Sequence, residues 1–242
     1  RQARLADASA HANRKLTKEA GRPDHRSYHE GMTTVLDLTH TLTEGMPVYP
    51  GTEPPRIQPA NTVAKDGFAE KLLSMYSHTG THIDAPAHML EGGPTLDQLG
   101  AGHFVGTACV LDAVGRAEIG LPELQAQAAL IEGCDFVLFH TGWSRLWGQE
   151  AYFSDFPVLS REAAGWLAGR GLKGVGFDAI SVDPVGSVEF ENHHLFFGAG
   201  MISIENLTGL AALAGTRFLF SCLPLKIAEA DGSPVRAVAI LD

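Results

Sequence analysis

The stretch Ser77-His-Thr-Gly-Thr-His-Ile-Asp-Ala-Pro-Ala-His-Met89 places His78, His82, Asp84 and His88 within eleven residues, all at even-numbered positions. Alternate side chains of an extended chain share a face, so an extended reading turns all four groups to one side. A helix would scatter them, because its period joins positions three and four apart. Gly80, Pro86 and the β-branched Thr79, Thr81 and Ile83 also disfavour a helix. The segment therefore differs from the His-Glu-x-x-His zinc helix. A flat strand would hold His78 and His82 about 13 Å apart at the backbone, so the chain is expected to bend at Gly80 to close that gap. For a single histidine, a surface loop or a hydrogen-bonded core position is the ordinary reading. Four such groups together, with Gly and Pro between them, point to a metal site. Two histidines and one carboxylate make a familiar catalytic zinc set with one position open.

Around this motif the chain has the composition of a soluble globular protein, with 45% hydrophobic and 19% charged residues in 242. That length fits one domain, or one domain with an appendage. No apolar run reaches the length needed to span a bilayer, so no membrane partner is expected. The net charge of −10 argues against nucleic acid as a partner. Cys109, Cys134 and Cys222 are odd in number, far apart and set among apolar residues. They read as buried free thiols, which points to a reducing, cytoplasmic setting.

Residues 1–31 differ from the rest, holding seven of the 18 basic residues and four of the 28 acidic ones. They contain no apolar h-region, and their acidic residues fit a transit peptide poorly. The segment reads as an N-terminal arm, helical around Leu5 to Ala20, or as vector-derived sequence. The folded domain is expected over 32–242.

Within that domain, Thr34 to Thr39 alternates as a strand does, and Met46 to Pro55 is a Pro- and Gly-rich loop. Ala69 to Ser77 reads as a strand running directly into the histidine motif. Thr107 to Ala113 and Asp135 to His140 read as buried strands, with a helix over Leu121 to Ile131 between them. Ser160 is a plausible N-cap for a helix that Gly169 and Gly171 end. Lys173 to Asp178, Met201 to Ile204, Arg217 to Ser221 and Val235 to Leu241 complete a strand-rich second half. Strands alternating with a few helices predict an α/β architecture.

The pattern His-x-Gly-Thr-His-x-Asp-x-Pro-x-His resembles the signature of the cyclase-type metal-dependent hydrolases, a group that includes bacterial kynurenine formamidase and isatin hydrolase. The resemblance runs from about Val35 to the C-terminus. Gly176 to Pro184 and His140-Thr-Gly-Trp143 resemble further segments of that family. The fold this implies is a swivelling β/β/α arrangement, with a central mixed sheet or barrel and a few peripheral helices.

The resemblance also implies roles. In the related formamidases a histidine lies twelve residues before a glutamate, and both bind metal; His193 and Glu205 have that spacing here. His194 is then an orienting or structural residue. Asp84 would bridge two ions, with His78 and His82 on one and His193 and Glu205 on the other. His88 resembles the family's catalytic histidine, able to accept a proton and return it. Its competing role is that of a further ligand. Met46 to Gly51 resembles the formamidase Pro-Val-Trp-Pro-Gly, with Tyr49 in place of the pocket Trp, so Tyr49 is the candidate substrate contact. The implied activity is hydrolysis of an amide bond in a small molecule, an aryl formamide foremost, by metal-bound hydroxide. A cyclic amide such as isatin is the alternative, followed by a cyclase or dehydratase reaction and by a non-catalytic metal-binding protein. Zn²⁺, one or two per chain, is the implied cofactor, with Mn²⁺ as the other option. A homo-oligomer, dimer or tetramer, is implied by the resemblance alone.

Overall fold

The computed structural model describes residues 33–241. The expected arm over 1–31 lies outside the described residues. In chain order the strands are β1 (Thr34–Asp37), β2 (Arg56–Asn61), β3 (Glu70–Ser74), β4 (His82–Asp84), β5 (Val105–Asp112), β6 (Glu118–Ile119), β7 (Phe136–His140) and β8 (Val158–Leu159). They continue with β9 (Gly174–Phe177), β10 (Ile202–Glu205), β11 (Arg217–Ser221), β12 (Gly232–Pro234) and β13 (Val238–Leu241). Among the described residues five short α-helices accompany them: α1 (Val63–Asp66), α2 (Leu121–Ala126), α3 (Ala128–Ile131), α4 (Arg161–Ala168) and α5 (Glu191–Gly198).

Nine strands form one mixed sheet in the order β1-β13-β11-β5-β7-β9-β10-β4-β12. The centre, β5-β7-β9-β10, is parallel, and antiparallel strands flank it on both sides. This is the expected α/β class with a central mixed sheet. The period of two sorts the side chains between two cores. Cys109, Leu111, Val137, Phe139, Val175 and Phe177 meet Leu124, Ile131, Ala163, Ala164 and Leu167 of the helices on one face. Ala108, Val110, Phe136, Leu138, Ile202 and Ile204 point to the other, which Leu96, Phe104 and Leu210 cover. With both faces buried, the central strands read as continuous apolar runs.

Several expectations need correction. The segment 77–89 is not extended throughout. Only His82–Asp84 is strand, because Gly80 turns the chain at φ +69° and Pro86 opens a 3-10 turn over Pro86–His88. His82 and Asp84 share a face by pleat, whereas His78 and His88 arrive through the turns on either side. The strand expected over Ala69 to Ser77 pairs only with β2, in a separate exposed ribbon, and stops before the motif. The helix expected over Leu121 to Ile131 is broken at Gln127. Ser160 does cap α4, its Oγ accepting from the Ala163 amide. Cys109 and Cys222 are buried, and Cys134 is half-buried; all three are free thiols. Among the described residues no helix is long and apolar enough to cross a membrane.

Candidate metal centre

β4 lies between β10 and β12, with Ile83 opposite Ile204 on one side and Ser233 on the other. This register brings His82 and Asp84 beside Glu205 at the end of β10. The two oxygens of Asp84 face different groups. Oδ1 lies 2.5 Å from His78 Nδ1 and 3.2 Å from His82 Nε2. Oδ2 accepts the Ser203 hydroxyl at 2.6 Å and lies 3.9 Å from His193 Nε2. Glu205 closes the second side, with Oε1 at 3.4 Å from His193 Nε2 and Oε2 at 3.6 Å from His82 Nε2. Three sets of atoms close enough to hold a metal ion result: His78-His82-Asp84 and Asp84-His193-Glu205, with Asp84 common to both, and His78-His88-Asp231.

Each buried histidine is aimed by a bond on its other nitrogen. His82 Nδ1 donates to the Gly80 carbonyl at 2.8 Å, which leaves Nε2 for the site. Gly80 can present that carbonyl because it adopts a positive φ; a Cβ there would also lie 2.6 Å from the Leu42 side chain. Asn206 Nδ2 donates to the same carbonyl, and Tyr152 Oη donates to Asn206 Oδ1. His193 Nδ1 donates to Asp183 Oδ2 at 2.7 Å. Asp183 also accepts the Asn192 and His193 amides, so one carboxylate caps the start of α5 and orients the histidine on it. His194, its neighbour, is exposed, so only the residue with the twelve-residue spacing enters the site.

The electrostatics fit a cation. Burial opposes charge on His78, but Asp84 and Asp231 outweigh it and raise the imidazole to about 10. Burial likewise opposes His193, and Asp183 with Glu205 raise it to about 10. His82 is also raised, by Asp84 against its complete burial. Burial would lift the Asp84 carboxyl, yet His78 and His82 hold it well below the usual carboxylate range. The carboxylates thus draw positive charge onto three imidazoles, and a divalent cation supplies the same charge to the same atoms. The oxygen and imidazole donors suit such an ion, and the orienting partners on the distal nitrogens complete the fit.

His88 stands outside the two sets that share Asp84 and falls in the third, with His78 and Asp231. Its Nδ1 lies 3.3 Å from Asp231 Oδ2, and its ring stands 4.0 Å from that of His78. Burial is the main influence that lowers its pKa, so it is neutral near pH 7. These groups line a cleft of about 430 Å³, walled by Val48, Tyr49, Tyr76, Met89, Ile180 and Phe190. Tyr49 is in that wall with its hydroxyl donating to the Val185 carbonyl at 3.2 Å. Reading the sequence missed α5, Asp183, Ser203, Asn206 and Asp231. Asp183 carried one visible signal, a carboxylate in a stretch already tied to the site by resemblance. The two stretches 176–184 and 140–143 are joined directly: Asp178 accepts the Thr141 and Gly142 amides and the Thr141 hydroxyl.

Comparison with known proteins agrees in sequence and in fold. The family model described as "Putative cyclase" matches residues 36–184. The chain is 33% identical over 205 residues to a kynurenine formamidase of Bacillus cytotoxicus, covering 84% of this chain and 95% of that protein. A kynurenine formamidase of Geobacillus thermodenitrificans is 32% identical over 208 residues, covering 85% and 97%. Among solved structures, isatin hydrolase A from Labrenzia aggregata, bound to benzyl benzoate, superposes with a TM-score of 0.77 at 27% identity, covering 86% of this chain and 94% of that one. A protein described as a potential metal-dependent hydrolase with cyclase activity gives a TM-score of 0.74 at 31% identity, covering 87% and 99%.

Proposed function

The chain belongs to the putative-cyclase family, and from that premise we propose that it is a metal-dependent hydrolase of amide bonds in small molecules, an aryl formamide foremost. The observation that carries this reading is Asp84, whose two oxygens face two histidine-containing donor sets at the floor of a cleft with a separate histidine beside them. His78, His82 and Asp84 would hold one ion, and Asp84, His193 and Glu205 a second. Zn²⁺ suits this donor set, and Mn²⁺ is the alternative. When bound, the ions polarise the amide carbonyl and lower the pKa of the attacking water.

The chain's own residues supply the rest. His88, neutral and with Nδ1 on Asp231, has Nε2 left to take the water proton. The same nitrogen returns that proton to the departing amine nitrogen, so the carbon–nitrogen bond breaks to give a carboxylic acid, which ionises to solvent, and a free amine. Tyr49, with Val48 and Phe190, offers an apolar wall for an aryl ring. A cyclic amide is a second reading, supported by the isatin hydrolase neighbours, and it needs the same groups.

The test is an activity screen of Zn²⁺- and Mn²⁺-loaded protein across formanilides, isatin and small lactams, with oxygen-18 water. Hydrolysis that places solvent oxygen in the carboxylate and stops on chelation is the expected result. Full activity in protein shown to be metal-free would overturn the reading, and product without solvent oxygen would indicate a dehydratase or cyclase.

A further inference from the structure

We propose that Asp231 is a positioning residue that aims both His78 and His88. The proposal rests on the roles given above, His78 as a metal ligand and His88 as the base. Asp231 Oδ2 lies 2.9 Å from His78 Nε2 and 3.3 Å from His88 Nδ1, so one carboxylate oxygen takes a bond from each ring. Its Oδ1 accepts the Ser77 hydroxyl at 3.1 Å, which fixes the carboxylate's own rotation. Its backbone carbonyl accepts the Ala85 amide at 2.8 Å, and the next residue, Gly232, pairs with Asp84 in the sheet. Asp231 is therefore placed by the β12–β4 register that also places Asp84.

Gly232 supplies an independent sign that this turn is shaped around His78. A Cβ at Gly232 would lie 2.6 Å from His78 Cε1 and 2.8 Å from Nε2, so the imidazole rests against a bare α-carbon. The consequence for each ring follows from its bonding. With Nε2–H given to Asp231, His78 turns Nδ1 towards Asp84 and the ion. With Nδ1–H given to the same oxygen, His88 keeps Nε2 for the proton it must move. One oxygen thus couples the ligand to the base, from the residue just before β12, outside the stretch that carries the family match.

The experiment follows Co²⁺ binding by visible absorption and chelator competition in wild type, Asp231→Asn, His88→Ala and the double variant, beside kcat and KM on the substrate the screen identifies. Asp231→Asn should bind the same number of Co²⁺ ions, about 10–100-fold more weakly, with a changed absorption spectrum. Its kcat should fall with KM near wild type. On the His88→Ala background, Asp231→Asn should add little further loss in kcat yet still weaken Co²⁺. Gly232→Ala, which crowds His78 while leaving the carboxylate in place, should reproduce the spectral change and serves if Asp231→Asn does not fold. Wild-type Co²⁺ affinity and spectrum in both variants would overturn the proposal. So would the loss of one ion from Asp231→Asn with the others unaltered, since Asp231 would then itself hold an ion with His78 and His88. The Co²⁺ measurements need no substrate, so failure to turn over any amide would count against the hydrolase reading and not against this one.

Discussion

His82 and His193 face the same two carboxylates, Asp84 and Glu205, but His82 is aimed by a backbone carbonyl and His193 by a carboxylate. The Gly80 carbonyl that holds His82 belongs to a left-handed turn and brings no charge. Asp183, which holds His193, brings a full negative charge and caps α5 at the same time. His82 is therefore aimed by the shape of the main chain, and His193 by a side chain that can be replaced. A carboxylate partner also strengthens an imidazole as a donor, which a neutral carbonyl does less. The two halves should respond differently to mutation.

The largest effect should come from His82→Ala. It removes a donor that faces both carboxylates, so metal and activity should be lost together, as read by metal analysis beside turnover. Glu205→Ala should instead lose about one of two ions per chain. A wild type that never exceeds one ion at saturation would merge the two halves into one. Next comes His88→Ala, which belongs to neither half. Turnover should fall roughly 10²–10⁴-fold while metal content and fold are retained; a protein purified without metal would move His88 into the coordination sphere. Asp183→Asn should weaken metal binding about 10–100-fold through His193 alone. Equal loss from both halves would mean that Asp183 holds the helix rather than the histidine.

A change of pH acts on both halves at once. In metal-free protein the raised His78 and His193, both near 10, carry protons at pH 7 that an incoming cation must displace. Metal affinity should therefore fall as pH falls below that range, by about tenfold per pH unit for each proton displaced. Calorimetry in two buffers of different ionisation enthalpy counts those protons, and a count of zero at pH 7 would remove the charge argument.

What could be read in the sequence follows how far apart the interacting residues lie. The pairing of His82 with Asp84 and the bend at Gly80 depend on period two and on one glycine, so both were legible. The α4 helix was legible because Ser160 carries its own cap. Helix α5 was not: it has no side-chain cap of its own, Phe190 before it sits at φ +47°, and its buried face includes Asn192 and His193. Polar residues on a buried face erase the apolar period that a helix is read from. The Asp183 that satisfies them lies ten residues before His193. Asp231 lies 153 residues from His78, and no local pattern links them. The β2–β3 ribbon shows the opposite failure. Its β3 lies in the stretch that reads as strand, but nothing there says that it pairs outside the main sheet, and β2 was not legible as a strand at all.

The placement of β4 between β10 and β12 has a consequence for the order of assembly. Ser203 meets Asp84 across 119 residues, and β12 enters the chain later still. β1, the first described strand, pairs only with β13, the last. During synthesis the motif at 77–89 leaves the ribosome long before either neighbour of its strand exists. Contacts this remote must wait for loop closure, which slows folding of the whole sheet. A nascent chain therefore holds three unpartnered histidines and an aspartate until residues 202–234 have emerged, and a cation met before then finds donors but no cleft.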